Sequence, residues 1–306
     1  MSFKRNIDIK ELNEMLNNND FLKHLNQQYV KKGKVLLTFR NDEATMYYKG
    51  NQLCIMKKSK ESQEVEKYEP TIYSKYLPFS RSKALSNKNV GNYTEKEWQE
   101  NENTKYMWED VLPEILDNID KETLPEKMEV SWLYNFSPLV CPKSKVVLLD
   151  IEPQFQGLSA REGTKTLTDR IDVVLYHTEE KRLIFLEVKR LSDDRLRKMK
   201  GNQAEIISQL KEYSDVLNDT GYIKNFNEEY TKVIEYYHEL NNKFPQSTIE
   251  NPPLLGLLIV EFGDDELDEL QKITKDIESK GYVVCSRGTI KKAGEGTLEK
   301  WYNRIK

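Results

Sequence analysis

The sequence predicts a mixed α/β protein, in which a smaller N-terminal α+β module precedes a larger α/β domain. Three observations support this class. Short apolar or alternating segments are typical of strands, and the segments between them carry apolar residues at helical spacing. The second half also follows the order helix, three strands, two helices, strand, helix, strand and helix. Such an order is typical of a mixed central sheet flanked by helices.

The composition indicates a folded chain with a heavily charged surface. Of the 306 residues, 38% are hydrophobic and 32% are charged, and the net charge is −4. That charge argues against a uniformly basic nucleic-acid binder. No apolar run approaches the roughly 20 residues that span a bilayer, and the N-terminus lacks an apolar segment behind its basic residues. We therefore expect a cytoplasmic protein with no membrane partner.

Cysteine and histidine usage excludes several kinds of site. The three cysteines are widely spaced and form no CxxC motif, which argues against a disulfide framework or a zinc ribbon and favours small buried side chains at Cys54, Cys141 and Cys285. The three histidines give little material for a histidine-rich metal site or a triad. We expect His177 to lie in a hairpin loop and to be solvated.

Residues 1–93 are predicted to form the N-terminal module. One or two short helices begin the chain and are interrupted at Asn17–Asp20, because Asn and Asp favour turns and caps. Three strands follow between Lys34 and Lys58 and are separated by turn residues. The chain is then polar from Ser59 to about Tyr93, and a linker is predicted near its end, over residues 80–92.

Residues 94–306 are predicted to form the larger domain. A helix is expected within Trp98–Asp120, where Pro113 indicates that a helix begins or restarts. A strand ended by Pro153 and two hairpin strands follow. Helices are then expected over Asn202–Leu217 and Asn227–Lys243, and the remaining elements alternate strand, helix, strand and helix to the end of the sequence.

The hairpin contains charges inside strand-like apolar runs, in the stretch DRIDVVLYHTEEKRLIFLEVKR. With the loop centred on Glu179 and Glu180, Asp172 lies opposite Glu187, and Lys189 shares their face because side chains alternate with period two. The other face of the hairpin is wholly apolar. One interpretation is a solvated face with a weak surface ion pair. The alternative is a site that binds a ligand.

Two carboxylates placed across a strand pair destabilise the sheet unless a cation lies between them. Hard divalent ions such as Mg²⁺ take oxygen ligands, often one or two carboxylates together with water and substrate phosphate. Asp172 and Glu187 suit such an ion. Lys189 would then stand beside the metal, where it could orient or deprotonate a water or contact the phosphate.

These residues carry a family resemblance. Asp172, followed 15 positions later by Glu187-Val188-Lys189, resembles the PD-(D/E)xK signature of the restriction-endonuclease-like nuclease superfamily. Gln209 and Tyr213, in QLKEY, are similar to the QxxxY motif of RecB-like members. The element order from about Trp108 to Val284 also resembles the αβββαβ core of that superfamily. Ile171 stands where the signature has Pro.

The resemblance implies a metal-dependent nuclease that hydrolyses phosphodiester bonds, usually in DNA. It assigns Asp172, Glu187 and the main-chain carbonyl of Val188 as ligands of Mg²⁺, for which Mn²⁺ can substitute, and Lys189 as the residue that assists the attacking water. Restriction, phage defence or repair is the implied setting. Nuclease domains that cut both strands often pair, so the resemblance also allows a homodimer.

Several residues keep alternative interpretations. Gln209 and Tyr213 either fix Lys189 or a substrate phosphate, or they are packing residues at the edge of an apolar helix face. The acidic residue that the first helix of such nucleases often supplies is not assigned, and three candidates remain open: Glu109, Glu114 and Glu152. This gap concerns a second metal ion more than the first.

Two further sets of residues could contact nucleic acid. A basic segment follows the signature and is interrupted by Asp193 and Asp194, so backbone binding and a solvated surface are equally compatible with Arg190, Arg195, Arg197, Lys198 and Lys200. The N-terminal aromatic residues could stack on bases, although core packing is the commoner role of such a set, which comprises Tyr47, Tyr48, Tyr68, Tyr73, Tyr76 and Phe79.

With the resemblance, we expect a Mg²⁺-dependent nuclease, and the resemblance implies that it acts on DNA more readily than on RNA. The competing hypothesis is a nuclease fold that has lost activity and serves as a nucleic-acid-binding or assembly module. The intact Asp, Glu and Lys residues count against it. A third alternative is a structural α/β protein whose charges only face water.

Overall fold

The structure is a computed structural model that describes residues 7–40, 43–58, 68–73, 92–94, 108–153, 170–200 and 203–306. The chain divides into two compact units, an N-terminal unit of residues 4–135 and a C-terminal unit of residues 136–306. Among the described residues each unit contains one five-stranded sheet. The predicted mixed α/β class is confirmed.

Two short helices begin the N-terminal unit. Helix α1 spans Ile9–Asn18 and helix α2 spans Asp20–Leu25, with a π-helical turn after it. The side chain of Asn19 accepts a hydrogen bond from the Leu22 N–H at 2.9 Å and so caps α2. The predicted interruption between two helices is confirmed, and its cause is this cap.

The N-terminal sheet is antiparallel throughout and has the strand order β1-β2-β3-β4-β5. Its strands are β1 Val35–Arg40, β2 Glu43–Tyr48, β3 Asn51–Lys58, β4 Tyr68–Tyr73 and β5 Asn92–Thr94. The first three form the predicted meander. Strands β4 and β5 lie in or at the end of the segment that was described only as polar, and they extend the predicted three-stranded meander to five strands. Strand β4 was not predicted because it contains Glu69 and Pro70, and both residue types are depleted in strands. Most of the predicted linker lies outside the described residues.

Helices α3, Trp108–Glu122, and α4, Pro125–Ser131, also belong to the N-terminal unit. Pro113 lies inside α3 rather than at its start. The turn between β2 and β3 contacts this helical segment, because the Gly50 N–H donates to Tyr134 Oη at 2.9 Å and Lys127 Nζ donates to the Gly50 carbonyl at 3.0 Å. The observed division at residues 135/136 therefore differs from the one expected at 93/94.

The C-terminal unit is built on a mixed sheet with the strand order β12-β11-β8-β7-β6. Strands β6, β7 and β8 form an antiparallel meander, whereas β11 runs parallel to both β8 and β12. Their bounds are β6 Val146–Ile151, β7 Val173–His177, β8 Arg182–Arg190, β11 Asn251–Val260 and β12 Val284–Arg287. A two-residue pair, β9 Met199–Lys200 and β10 Gln203–Ala204, precedes the next helix.

Four helices complete the unit: α5 Glu205–Leu217, α6 Thr220–Leu240, α7 Leu267–Glu278 and α8 Glu295–Ile305. This is the predicted order of helices and strands. Helix α6 begins seven residues before the expected Asn227, because Asp219 accepts hydrogen bonds from the N–H groups of Gly221 and Tyr222 and caps it there.

Both faces of the C-terminal sheet are buried. On one face Leu257 and Ile259 of β11 pack with apolar residues of α5 and α7, among them Leu210 and Ile273. On the other face Gly256 lies so close to α8 that an added Cβ would stand 2.8 Å from Ile305 Cδ1. The sheet is therefore the centre of a three-layer arrangement, as expected for a parallel strand core. In the described part of the chain, no helix is both long and apolar enough to cross a membrane.

The described structure places the cysteines and His177 as follows. Cys54 and Cys285 are buried as expected, while Cys141 is partly exposed. His177 is the last residue of β7 and only 6% exposed, so the expectation of a solvated loop residue is wrong. Its Nδ1 accepts a hydrogen bond from the Glu180 N–H at 3.1 Å, and its ring lies 4.2 Å from that of Tyr302. Burial lowers the pKa of His177, against the opposing effect of Glu180 and Glu179.

This burial predicts a pH dependence of stability. The folded pKa of His177 lies below its ordinary value of 6.5, so on acidification the unfolded chain takes up this proton before the folded chain does. Stability should fall as the pH drops from the unfolded pKa through the folded one. We expect His177→Gln to lose less free energy of unfolding than the wild type between about pH 7.5 and about pH 5.5. Urea unfolding at both pH values measures this, and equal losses in both proteins would contradict it.

Candidate functional site

Strands β7 and β8 pair in the predicted register. Val173 lies opposite Leu186 and His177 opposite Arg182. Asp172 immediately precedes β7, and Glu187 immediately follows Leu186 on β8. The alternation of side chains therefore brings the two carboxylates to the same end and the same face of the hairpin.

The charged side chains on this face are more deeply buried than those of a solvated sheet face would be. The side chains of Glu187 and Lys189 are 1% and 2% exposed, and that of Asp172 is 19% exposed. Helix α6 covers the neighbouring part of this face, where Phe226 and Tyr230 lie against Phe185 at ring distances of 6.1 and 6.4 Å. The interpretation as a surface ion pair is therefore wrong, because a charge this deeply buried requires a partner.

The buried ammonium of Lys189 lies where three oxygens converge. Lys189 Nζ forms a short contact with Glu187 Oε1, donates to the Val188 carbonyl at 2.9 Å and lies 3.6 Å from Asp172 Oδ2. These oxygens belong to the three residues that the resemblance assigns to a metal. Two carboxylates and a main-chain carbonyl around one cationic point are the donor set that a hard divalent ion prefers. The side chains present therefore fit Mg²⁺ chemically.

Asp172 is fixed by main-chain hydrogen bonds on both sides. Its Oδ2 accepts from the Val188 N–H at 2.7 Å, and its carbonyl accepts from the Glu152 N–H at 3.0 Å. Burial raises the pKa of the Asp172 carboxyl, against Lys189 and the Val188 N–H, which lower it. The Val188 residue thus contributes its N–H to one carboxylate while its carbonyl faces the cationic point.

Helix α5 contributes Gln209 and Tyr213 to the same cluster. Gln209 Nε2 donates to Glu187 Oε1 at 2.8 Å and to Tyr213 Oη at 2.9 Å. The Tyr213 hydroxyl in turn donates to the Arg170 carbonyl at 3.0 Å. This chain of hydrogen bonds connects β8 to the residues that lead into β7. The polar tips of both side chains therefore contact the site, while the Tyr213 ring is buried.

The three candidates for an additional acidic residue differ in position. The side chain of Glu109 lies outside the described residues. Glu114 is exposed on α3 in the N-terminal unit. Glu152 follows β6, donates its N–H to Asp172 and pairs its Oε2 with Arg170 Nη1 at 3.3 Å. Its φ of 48° is a left-handed conformation that is uncommon for a residue other than Gly. Within the C-terminal unit, Glu152 is the candidate that contacts the site.

Asp150 is a buried acid that was not among the predicted site residues. It is 1% exposed on β6, accepts from the Ile151 N–H at 2.9 Å and from the Tyr230 hydroxyl at 3.1 Å. The strand has a register shift between Leu148 and Asp150. The sequence does contain a sign of this residue, because Asp150 is a charged residue within the apolar run VVLLDI. Asp172 likewise lies next to an apolar run. Asp150 joins α6 to the sheet beside the site.

The basic segment after the signature is largely engaged in ion pairs. Arg190 pairs with Glu261, Arg195 Nη2 with Asp193 Oδ2 at 2.7 Å, and Arg197 Nε with Glu269 Oε1 at 2.7 Å. Lys198 is exposed, and the side chain of Lys200 lies outside the described residues. These pairs favour a structural surface over a cationic track at the three arginines.

The N-terminal aromatics give little indication of base stacking. Tyr47 is 8% exposed and accepts a hydrogen bond from Arg40 Nη1 at 3.0 Å. Tyr48 is partly buried beside Lys49, which pairs with Asp120 at 2.7 Å. Tyr68 and Tyr73 lie on β4, but their side chains are outside the described residues, as are Tyr76 and Phe79. For Tyr47 and Tyr48 the contacts favour packing.

Comparison of the chain with protein-family models, with curated proteins and with solved structures gives no match. Among the described residues, no group of three or more His, Cys, Asp or Glu side chains is placed to hold a metal ion. The cluster contains two such side chains, Asp172 and Glu187, and its third oxygen is the Val188 carbonyl.

The buried pair predicts a strong coupling between Lys189 and Glu187. Lys189→Met leaves the Glu187 carboxylate buried without its ammonium partner and should cost about 3–5 kcal/mol of unfolding free energy. The double variant Lys189→Met/Glu187→Gln should cost less than the sum of the two single changes, because neither member of the pair is then left as a charge without the other. Urea unfolding in the presence of a chelator measures these values.

Lys306→Met is the control, because Lys306 pairs with Glu180 at the surface. We expect no measurable loss of stability from that change. Strict additivity of the Lys189 and Glu187 changes would show that the two groups do not depend on each other.

Proposed function

We propose that this protein is a metal-dependent nuclease that hydrolyses phosphodiester bonds. The observation that carries the proposal is the convergence of the Asp172 carboxylate, the Glu187 carboxylate and the Val188 carbonyl on one buried cation, Lys189 Nζ. A surface ion pair needs only one acceptor, whereas three oxygens surround Lys189 Nζ.

The topology of the C-terminal unit supports a restriction-endonuclease-like core. Its antiparallel β6-β7-β8 meander is followed by α5 and α6 and then by β11, which lies parallel to β8. This matches the βββαβ part of the αβββαβ order. The helix that the resemblance uses as the first element, α3, belongs to the N-terminal unit. The proposal therefore depends on the strand pairing and the site rather than on that helix.

Asp172, Glu187 and the Val188 carbonyl would hold Mg²⁺, and Mn²⁺ could replace it. When bound, such an ion offsets the negative charge of the phosphate oxygens and makes a coordinated water more acidic. A divalent ion and the ammonium in its present position would repel each other. Lys189 would therefore turn toward the substrate, where its N–H groups orient the attacking water or contact the phosphate.

Gln209 and Tyr213 have a positioning role in this proposal. Gln209 holds Glu187 Oε1, and Tyr213 holds the main chain two residues before Asp172. Together they fix the separation of the two carboxylates. A metal site requires its ligands to be positioned to within about 0.5 Å. The burial of the Tyr213 ring adds packing to this role.

The substrate in this proposal is nucleic acid, with DNA preferred to RNA because the resembling superfamily mostly acts on DNA. Roles in restriction, phage defence or repair follow from the same resemblance, and we also propose a cytoplasmic location. A homodimer is the arrangement that double-strand cleavage would favour.

A cleavage assay tests the proposal. Single- and double-stranded DNA and RNA are incubated with the wild type in Mg²⁺ or Mn²⁺, and with Asp172→Ala, Glu187→Ala and Lys189→Ala. We expect divalent-dependent cutting by the wild type and a loss of at least about 10³-fold in each variant, because each removes a ligand or the group that orients water. Circular dichroism checks that the variants remain folded.

Glu278→Gln and Lys306→Ala are the matched controls, since they remove an exposed acid and an exposed base from surface pairs. Both should cut like the wild type. If none of the four substrates is cut, the proposal that the protein is a nuclease is wrong. Binding of nucleic acid without cutting would instead favour the nucleic-acid-binding module.

A further inference from the structure

Arg170 lies two residues before Asp172, at the end of the sheet where the candidate metal ligands converge. The end of β6, the beginning of β7 and the end of β8 all meet at this edge, because β7 is antiparallel to both neighbours. Its guanidinium is beside Glu152, which follows β6. Arg170 therefore belongs to the site by position, although it is not part of the sequence signature.

The main chain of Arg170 is fixed while its side chain is accessible. Its carbonyl accepts the hydrogen bond from Tyr213 Oη at 3.0 Å, which ends the chain of hydrogen bonds that begins at Glu187. The side chain is 49% exposed. A residue anchored in this way can present its guanidinium to a ligand without moving the backbone that positions Asp172.

The ion pair between Arg170 and Glu152 has a long contact distance. Arg170 Nη1 reaches Glu152 Oε2 at 3.3 Å, which is at the long end for an ionic hydrogen bond. By contrast, Arg195 contacts the Asp193 carboxylate through Nε at 3.0 Å and Nη2 at 2.7 Å. Exposed pairs of the first kind contribute little to stability, whereas a guanidinium can bind a phosphate through two parallel hydrogen bonds.

The local charge also favours a phosphate at Arg170. Glu152, Asp172 and Glu187 bring three carboxylates to this edge, and Glu152 acts electrostatically on Asp172. A phosphodiester that approaches the ligands would be repelled by Glu152 unless a cation lies between them. Arg170 is the cation in contact with Glu152, whereas Lys189 and Arg195 act on Asp172.

We infer that Arg170 is a phosphate-binding residue of this site, and that its guanidinium exchanges the Glu152 carboxylate for a substrate phosphate when nucleic acid binds. This inference rests on the proposed function. It adds a residue that contacts substrate, and it gives Glu152 the role of restraining that residue before binding.

The test measures substrate affinity and turnover separately for Arg170→Ala, Arg170→Lys and Glu152→Gln. The substrate is a fluorescent oligonucleotide of the type that the wild type cuts. For Arg170→Ala we expect KM to rise about 10-fold with kcat changed less, and the slope of log affinity against log salt to become shallower by about one phosphate contact. Arg170→Lys should recover part of the affinity, since it keeps the charge but not the two-point geometry.

Glu152→Gln should bind the oligonucleotide a few-fold more tightly, because the Glu152 carboxylate no longer competes with the phosphate for the guanidinium. Arg304→Ala is the control, since Arg304 is also exposed and paired with an acid, Glu278. It should leave KM and the salt slope unchanged.

Unchanged KM and salt slope in Arg170→Ala, in a wild type that cuts, would overturn this inference and leave the proposed function standing. If the wild type neither binds nor cuts any nucleic acid, the proposed function fails and this inference fails with it. Arg170→Lys distinguishes a loss of binding from a loss of folding, because it preserves the charge beside Glu152.

Discussion

The buried pair of Glu187 and Lys189 is the constraint on which the candidate site depends. Neither charge could lie this deep on β8 without the other, since an isolated buried ion costs several kcal/mol, roughly. The pair forms because residues two apart on a strand share a face, and because α5 closes over that face with an amide rather than an apolar side chain. The polar groups of this site are therefore part of the core, and the positions that would do chemistry are also positions that determine stability.

The surrounding contacts convert this pair into a defined geometry. The Val188 N–H fixes the Asp172 carboxylate on the neighbouring strand, and the chain from Gln209 through Tyr213 to the Arg170 carbonyl fixes the backbone that leads to it. Val188 belongs to β8, and Gln209 and Tyr213 belong to α5, while Arg170 and Asp172 lie just before β7. Asp150 and Tyr230 join α6 to the sheet on the same side. A site positioned by strands and helices in this way is more precisely held than one built on loops.

Much of this arrangement could be predicted from the sequence. The HTEEK loop and the period of two gave the register of β7 and β8, and with it the shared face of Asp172 and Glu187. Burial could not be predicted, because it comes from helices that are distant in sequence: Gln209 of α5 contacts Glu187, and Phe226 and Tyr230 of α6 lie against Phe185. Glu152, which pairs with Arg170, has a left-handed backbone conformation that no local sequence pattern predicts. Strand β4 escaped notice because Pro70 and Glu69 are poor strand residues, and its pairing with β3 outweighs that preference.

The central claim is that Asp172, Glu187 and the Val188 carbonyl, whose oxygens converge on the Lys189 ammonium, form a divalent-cation site. An anomalous diffraction map from a crystal of the protein saturated with Mn²⁺ tests it most directly. We expect one strong peak within coordination distance of these three oxygens, with the Lys189 ammonium displaced from its contact with Glu187. A map without a peak there, with Lys189 still between the carboxylates, would contradict it.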